Sequence, residues 1–239
     1  MATKSLTVNN KFFEISYEIV NPTATKDIVF LHGWGSNKDI MKNVFSKYLP
    51  NFRHIYIDLP GFGKSKNEYV LTTNDYVKIT EEFLKLLNSS KDIIVGHSYG
   101  GKVATLLNPK NLVLLSSAGI LEKKSLDVKI KIFFAKVLNF LGLRNITKKF
   151  RSKDVNTMSE NMYTTFKNVV NEDFSSHFSN FSNNTLIFWG EKDTATSLES
   201  GKNIANLIKK STFISYDGDH YFFVKNVEDI TKRIENGIC

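Results

Sequence analysis

The sequence predicts an α/β domain: a mostly parallel central sheet flanked by helices and interrupted by a helical insertion. Three observations carry this. Short apolar runs that end in glycine alternate with segments of helical periodicity. The alternation stops at Ile120, resumes after about Asn183, and leaves no convincing strand between. A chain of 239 residues with 41% hydrophobic content suits one large α/β unit with a substantial core. The expected division is a core from residues 1–119 and 184–239, with residues 120–183 as a helical cap inserted into it.

The elements follow in order. Leu6–Val20 breaks at Asn9-Asn10, a hairpin-type turn between two strand-like runs. Asp27–Gly33 ("DIVFLHG") reads as a buried strand. Asn37 to Tyr48 reads as a helix, and His54–Gly61 ("HIYIDLPG") as a strand stopped by Pro60-Gly61. A helix capped by Thr73 or Asn74 follows, with Tyr76, Ile79, Phe83, Leu84, Leu86 and Leu87 as its apolar stripe. Asp92–Gly96 is a strand, then a short helix runs through Leu107, and Asn111–Gly119 is another strand. After the insertion come Thr185–Gly190 (strand), Leu198–Lys209 (helix), Thr212–Gly218 (strand) and a terminal helix near Phe222–Ile234.

Composition excludes several classes. The N-terminal residues "MATKSLTVNN" lack the apolar run of a secretory signal, and no stretch reaches the length of a transmembrane segment. The single cysteine, Cys239, is the last residue, so a reducing, cytoplasmic location is expected. The net charge of +8 is concentrated: Gly119–Lys153 holds ten Lys/Arg against Glu122 and Asp127. Such a segment suits an acidic protein, an anionic surface or a solvated lysine-rich face. It lacks the interleaved stacking aromatics of a nucleic-acid binder, so no nucleic-acid partner is expected. "DLPGFGKS" (Asp58–Ser65) resembles a phosphate loop only superficially. Asp58 stands where the first glycine is required, and Pro60 removes a backbone donor.

The chemistry concentrates in "VGHSYGGK". Gly96-His97-Ser98-Tyr99-Gly100 is Gly-x-Ser-x-Gly between a strand and a helix. A turn that tight strains the serine backbone, lifts Oγ off the sheet and needs small residues two positions either side. The helix N-terminus favours developing negative charge there. A serine nucleophile needs a base, and the base needs an orienting acid. His220, in the loop after the last strand, is the candidate base. His32 and His97 read as shapers of their own turns, His54 and His177 as surface or packing residues. Asp193, after the penultimate strand, is the candidate acid, with Glu191 its near competitor; Asp217 and Asp219 read as turn formers. Trp34 in "HGWGS" and Tyr99 are the expected backbone donors to an oxyanion. In the insertion, Leu126–Leu143 places Ile130, Phe133, Phe134, Val137, Leu138 and Leu141 on one helical face. Trp34, Phe133 and Phe134 are therefore candidate substrate contacts. No spacing of His, Cys and carboxylates typical of a metal site is evident, and no metal or organic cofactor is implied.

Taken together, "LHGWG", "DLPGFGKS", "GHSYGG", "WGEKD" and "GDH" resemble the α/β-hydrolase superfamily in order and spacing. The resemblance implies the α/β-hydrolase fold, a Ser98-Asp193-His220 triad, oxyanion donors at Trp34 and Tyr99, and a cap covering the site. Serine rather than aspartate at the elbow favours esterases, thioesterases, some peptidases and C–C hydrolases of ring-cleavage dienoates; a binding protein that kept the fold without turnover is the remaining alternative. "LHGWG" with "DLPGFGKS" looks like the methyl esterases acting on pimeloyl-acyl-carrier protein. Those carry Trp-Ser-Leu at the elbow, where this chain has His-Ser-Tyr. The similarity implies an acyl ester substrate and an acidic acyl carrier protein at the basic cap.

Overall fold

The computed structural model describes residues 2–121 and 158–238. The strands are β1 (Ala2–Val8), β2 (Lys11–Val20), β3 (Lys26–Leu31), β4 (Phe52–Ile57), β5 (Ile93–His97), β6 (Asn111–Leu115), β7 (Asn184–Gly190) and β8 (Ser211–Tyr216). They form one sheet in the order β1-β2-β4-β3-β5-β6-β7-β8. The pairs β1–β2 and β2–β4 are antiparallel and all the others are parallel. The hairpin turns at Asn9 (φ 51°) and Asn10 (φ 60°), the left-handed pair that matches strand twist.

The helices are α1 (Lys38–Phe45), α2 (Thr73–Leu86), α3 (Tyr99–Leu106), α4 (Glu160–Val170), α5 (Ser175–Asn180), α6 (Leu198–Leu207) and α7 (Val227–Ile238). Both faces of the sheet are covered. Val29 and Leu31 face α2 and α3, while their neighbours Ile28 and Phe30 face α1 and α7. This two-sided burial is why the parallel strands read as continuous apolar runs. Each large apolar side chain fully removed from water contributes roughly 1.5–3 kcal/mol. On α2, Tyr76, Ile79, Phe83 and Leu84 supply that burial.

Two expectations need correction, and a third, left open between two places, is resolved. The N-cap of α2 is Thr72, one residue earlier than expected. Its hydroxyl accepts from Asp75 N while the Asp75 carboxylate accepts from Thr72 N, a reciprocal pair unavailable to Thr73 or Asn74. The terminal helix does not begin at Phe222. Phe222–Val224 is a single 3-10 turn, closed by Asn226 Nδ2 donating to Phe222 O, and α7 starts after it. His54, expected at the surface or in packing, takes the second place: it is fully buried, with one ring nitrogen on Tyr56 Oη (2.8 Å) and the other on Leu49 O (3.0 Å).

Between β6 and β7, the described residues 158–183 carry α4 and α5. Asn161, Thr165 and Asn168 lie along α4 at helical spacing. Asn161 Nδ2 donates to Asn67 O (2.9 Å), Thr165 Oγ1 accepts from Leu71 N (3.0 Å), and Asn168 Nδ2 donates to Leu71 O (3.3 Å). They pin α4 to the segment leading into α2. The candidate contacts Phe133 and Phe134, and most of the basic segment, lie outside the described residues.

Candidate active site

Ser98 sits between β5 and α3 at φ 51°, ψ −117°, a conformation that costs a non-glycine residue about 1–3 kcal/mol. Backbone bonds hold it there: Ser98 N donates to Leu115 O (3.1 Å), and Ser98 O accepts from Gly101 N and Ala118 N (both 3.0 Å). The flanking glycines are steric requirements. A Cβ on Gly96 would lie 2.5 Å from Gly100 O, and one on Gly100 would lie 2.5 Å from Leu31 O and 2.6 Å from His32 O. These are backbone atoms of α3, β3 and the turn after β3, and cannot swing aside. Gly100→Ala is therefore expected to lose about 3 kcal/mol or more, read as a fall in urea midpoint at constant m-value.

Asp193 and His220 come from the loops after β7 and β8. His220 Nδ1 and Asp193 Oδ2 are 2.7 Å apart. The other oxygen, Oδ1, accepts from Ala195 N (2.8 Å) and Thr196 N (3.0 Å), and Thr196 Oγ1 reaches Oδ2 at 2.9 Å. An ionised carboxylate is acceptor-only, so His220 Nδ1 is the donor in this bond, and Nε2 is the nitrogen left to accept when the ring carries one proton. Burial alone would raise the Asp193 pKa, but the bonds from His220 and Thr196 hold it down to about 2.

His97 shapes this loop rather than bonding to the Asp193 carboxylate. Its Nε2 donates to His220 O (3.0 Å), and its ring packs 4.6 Å from the His220 ring. Burial, followed by the neighbouring His220, pushes the His97 pKa down to about 3, so it stays neutral. His32 plays a similar part at the turn after β3. Its Nδ1 meets Gly33 O (2.8 Å) and its Nε2 accepts from Leu59 N (3.0 Å). Burial lowers its pKa to about 4. The turn it shapes abuts Ser98: a Cβ on Gly33 would lie 3.0 Å from Ser98 Cβ.

The turn is braced from below by "DLPGFGKS". Asp58 is buried and accepts from Lys38 N (2.8 Å), Lys38 Nζ (2.9 Å) and Lys64 N (3.0 Å). Gly63 has φ 54°, and a Cβ there would fall 2.3 Å from the Asp58 carboxylate. The loop thus encloses a fixed negative charge where a phosphate loop would take one from its ligand. Of the other acidic candidates, Glu191 accepts from Ser215 Oγ (2.8 Å), Asp217 pairs with Lys192, and Asp219 accepts from Tyr221 N (2.8 Å). His177 is exposed and rests on the Phe174 ring.

A cavity of about 590 Å³ opens beside Ser98, lined by Trp34, Tyr99, Ile120, Phe166 and Val169, with Thr194–Thr196 on the side of the acid loop. The Trp34 ring packs against Phe62, Tyr99 and Phe166 at 4.8, 5.5 and 5.4 Å. Two charged residues also line it, Lys102 on α3 and Glu172 just beyond α4.

A family model described as "alpha/beta hydrolase fold" matches residues 27–142. Among solved structures, the enol-lactonase from Burkholderia xenovorans LB400 superposes with a TM-score of 0.76, at 16% identity, over 98% of both chains. The chain has the α/β-hydrolase fold. An esterase from Exiguobacterium antarcticum superposes with a TM-score of 0.73, at 20% identity, over 95% of this chain and 96% of the other. Among curated proteins, the pimeloyl-[acyl-carrier protein] methyl ester esterase of Pectobacterium carotovorum is 33% identical over 79 residues, which are 33% of this chain and 29% of that enzyme. Its Vibrio vulnificus counterpart is 38% identical over 80 residues, again 33% of this chain and 29% of the enzyme. The chain therefore aligns with less than a third of the length of these curated relatives. The uncharacterized hydrolase YugF of Bacillus subtilis aligns more broadly, at 23% identity over 80% of this chain and 81% of its own.

In an α/β-hydrolase fold the carboxyl ends of the parallel strands form one rim, and the turns holding Trp34, Ser98, Asp193 and His220 all lie on it. Sequence reasoning missed Thr196 and the Lys102–Glu172 pair. Asp-x-x-Thr at 193–196 is a local turn signature that would have disclosed Thr196. Nothing in the sequence pairs Lys102 with Glu172, which are 70 positions apart.

Proposed function

We propose that this chain is a serine hydrolase of carboxylic esters or thioesters, with Ser98 as nucleophile, His220 as base and Asp193 as its orienting acid. The observation that carries the proposal is the 2.7 Å bond between His220 Nδ1 and Asp193 Oδ2, in loops that share a rim with the strained Ser98. Nε2 of His220 takes the Ser98 proton as Oγ bonds to the substrate carbonyl carbon. The N–H groups of Trp34 and Tyr99 hold the oxyanion. The bond to the leaving oxygen or sulfur breaks, and that atom takes the proton from Nε2. Water then attacks the acyl-enzyme, gives a proton to Nε2, and releases the acid as Oγ regains its hydrogen.

The names of the curated relatives favour an acyl ester borne on an acyl carrier protein. The net +8 of residues 119–153 suits such an acidic partner. Residues 120–183 act as the cap in this reading, with α4 forming one wall of the acyl cavity. Among the described residues no helix is long and apolar enough to cross a membrane.

A fluorophosphonate probe should label the wild type and not Ser98→Ala. A screen of methyl esters of graded chain length, with one carrier-protein-linked ester, should then show turnover that Ser98→Ala loses. Equal labelling of both proteins refutes the nucleophile. Turnover of a dienoate in place of every ester replaces ester cleavage with C–C cleavage.

A further inference from the structure

The cavity holds a charged pair that ester cleavage does not use. Lys102 lies one helical turn beyond Ser98 on α3, and its side chain is 3% exposed. Its Nζ donates to Val169 O (2.7 Å), pairs with Glu172 Oε2 (2.8 Å) and sits over the Phe174 ring at 4.6 Å. Those three contacts occupy the ammonium. Glu172 is less complete. Its Oε2 also accepts from Thr73 Oγ1 (2.5 Å), and all hydrogen bonds from the described residues go to that oxygen. Its side chain keeps 29% exposure and lines the cavity.

Stability alone does not account for this arrangement. Replacing a buried ion pair by apolar residues of the same volume is commonly neutral or stabilising. Nor is the pair needed to attach α4, which Asn161, Thr165 and Asn168 already bond to the core. What the pair adds is a carboxylate oxygen, Oε1, that no described residue bonds, on a cavity wall shared with the apolar Trp34, Ile120, Phe166 and Val169 and the polar Ser117 and Thr194.

We propose that Glu172 is a specificity-determining residue whose Oε1 accepts a hydrogen bond from a neutral donor on the substrate, a hydroxyl or amide N–H. This deepens the ester-hydrolase reading and rests on it. Charge decides the class. A cationic group would lie beside the Lys102 ammonium, and an anionic one would meet the Glu172 carboxylate. A neutral donor meets neither penalty, and a purely alkyl chain displaces water from the partly exposed Oε1 without replacing its hydrogen bond.

The test uses methyl esters with a hydroxyl at successive positions from C4 to C7, each matched to a chain carrying a methyl group there. Two readouts are taken: kcat/KM in the wild type, and Kd by calorimetry in Ser98→Ala. At one position or more, the hydroxyl ester is expected to be favoured about 10-fold or more over its isostere in both. Lys102→Met/Glu172→Leu, which keeps the volume but removes the acceptor, should abolish or invert that ratio. Glu172→Leu alone serves if the double variant does not fold: it removes the acceptor, leaves Lys102 its bond to Val169 O, and the preference should again vanish. Equal or better use of the alkyl ester at every position overturns the proposal, as does a preference that survives in both variants. Turnover without selectivity refutes only this inference. Selective binding to Ser98→Ala with no wild-type turnover refutes only the hydrolase reading.

Discussion

Asp193→Asn is expected to cut kcat for ester hydrolysis by roughly 10⁴-fold while leaving the fold intact. The reason lies in which oxygen does what. Oδ1 accepts from two backbone N–H groups, Ala195 and Thr196, so an asparagine must keep its carbonyl there. Its NH₂ then occupies the place of Oδ2 and points at His220 Nδ1. Nδ1 becomes the acceptor, the ring proton moves to Nε2, and the imidazole can no longer take the proton of Ser98. Folding is little disturbed because the substituted group keeps its shape and its turn. The carboxylate has a folded pKa of about 2, below its ordinary value, so its ionised form adds stability above the unfolded pKa, lost as pH falls through about 2. Asp193 is thus fully charged at every pH where catalysis is assayed. Turnover should be compared at matched circular dichroism and urea midpoint. A loss under tenfold would sink the orienting role of Asp193.

The second large effect is on acid stability. His32 and His97 are fully buried and neutral, with pKa values pushed down by burial to about 4 and about 3. Asp58 opposes the shift at His32 and Asp193 opposes it at His97, but desolvation outweighs both. In the unfolded chain both rings titrate near 6.5. Between that value and the folded values the unfolded state binds more protons, so stability falls as pH falls. Each group contributes about 1.4 kcal/mol per pH unit across its window, and two groups over two units or more remove on the order of 6 kcal/mol. That is comparable with the whole stability of an ordinary domain. The protein should therefore unfold cooperatively on acidification from pH 6.5 towards 4, before its carboxylates are fully protonated. His97→Gln, which keeps an N–H donor for His220 O, should roughly halve the slope of urea midpoint against pH. A flat midpoint from pH 7 to 4 would refute the burial argument.

Both predictions rest on features legible to different degrees in the sequence. The alternation of apolar runs with amphipathic segments located the eight strands of the described residues and most of their helices, because a strand covered on both faces has few ways to be written. The elbow was equally plain. A strained serine between a strand and a helix demands glycine at 96 and 100, and their imaginary Cβ atoms collide with backbone 2.5 Å away. Errors arose where a local choice depended on geometry. Thr72, Thr73 and Asn74 are all acceptable caps by type, and only the reciprocal bond with Asp75 selects the first. The start of the last helix depended on Asn226 closing a turn onto Phe222. At His54 the sequence left surface and packing both open, since an imidazole is at home at the surface or, with both nitrogens bonded, in a core.

The sequence by itself determined the α/β-hydrolase fold, the strained serine and the candidacy of Asp193 and His220, because each follows from short-range pattern and chain order. Only the tertiary structure decided which nitrogen of His220 faces Asp193, how Thr196 completes the shell of that carboxylate, and that Lys102 meets Glu172 at the cavity. These are contacts between segments distant in sequence, where no periodicity records the pairing. Their energies depend on distance and burial, which exist only once the chain has closed around them.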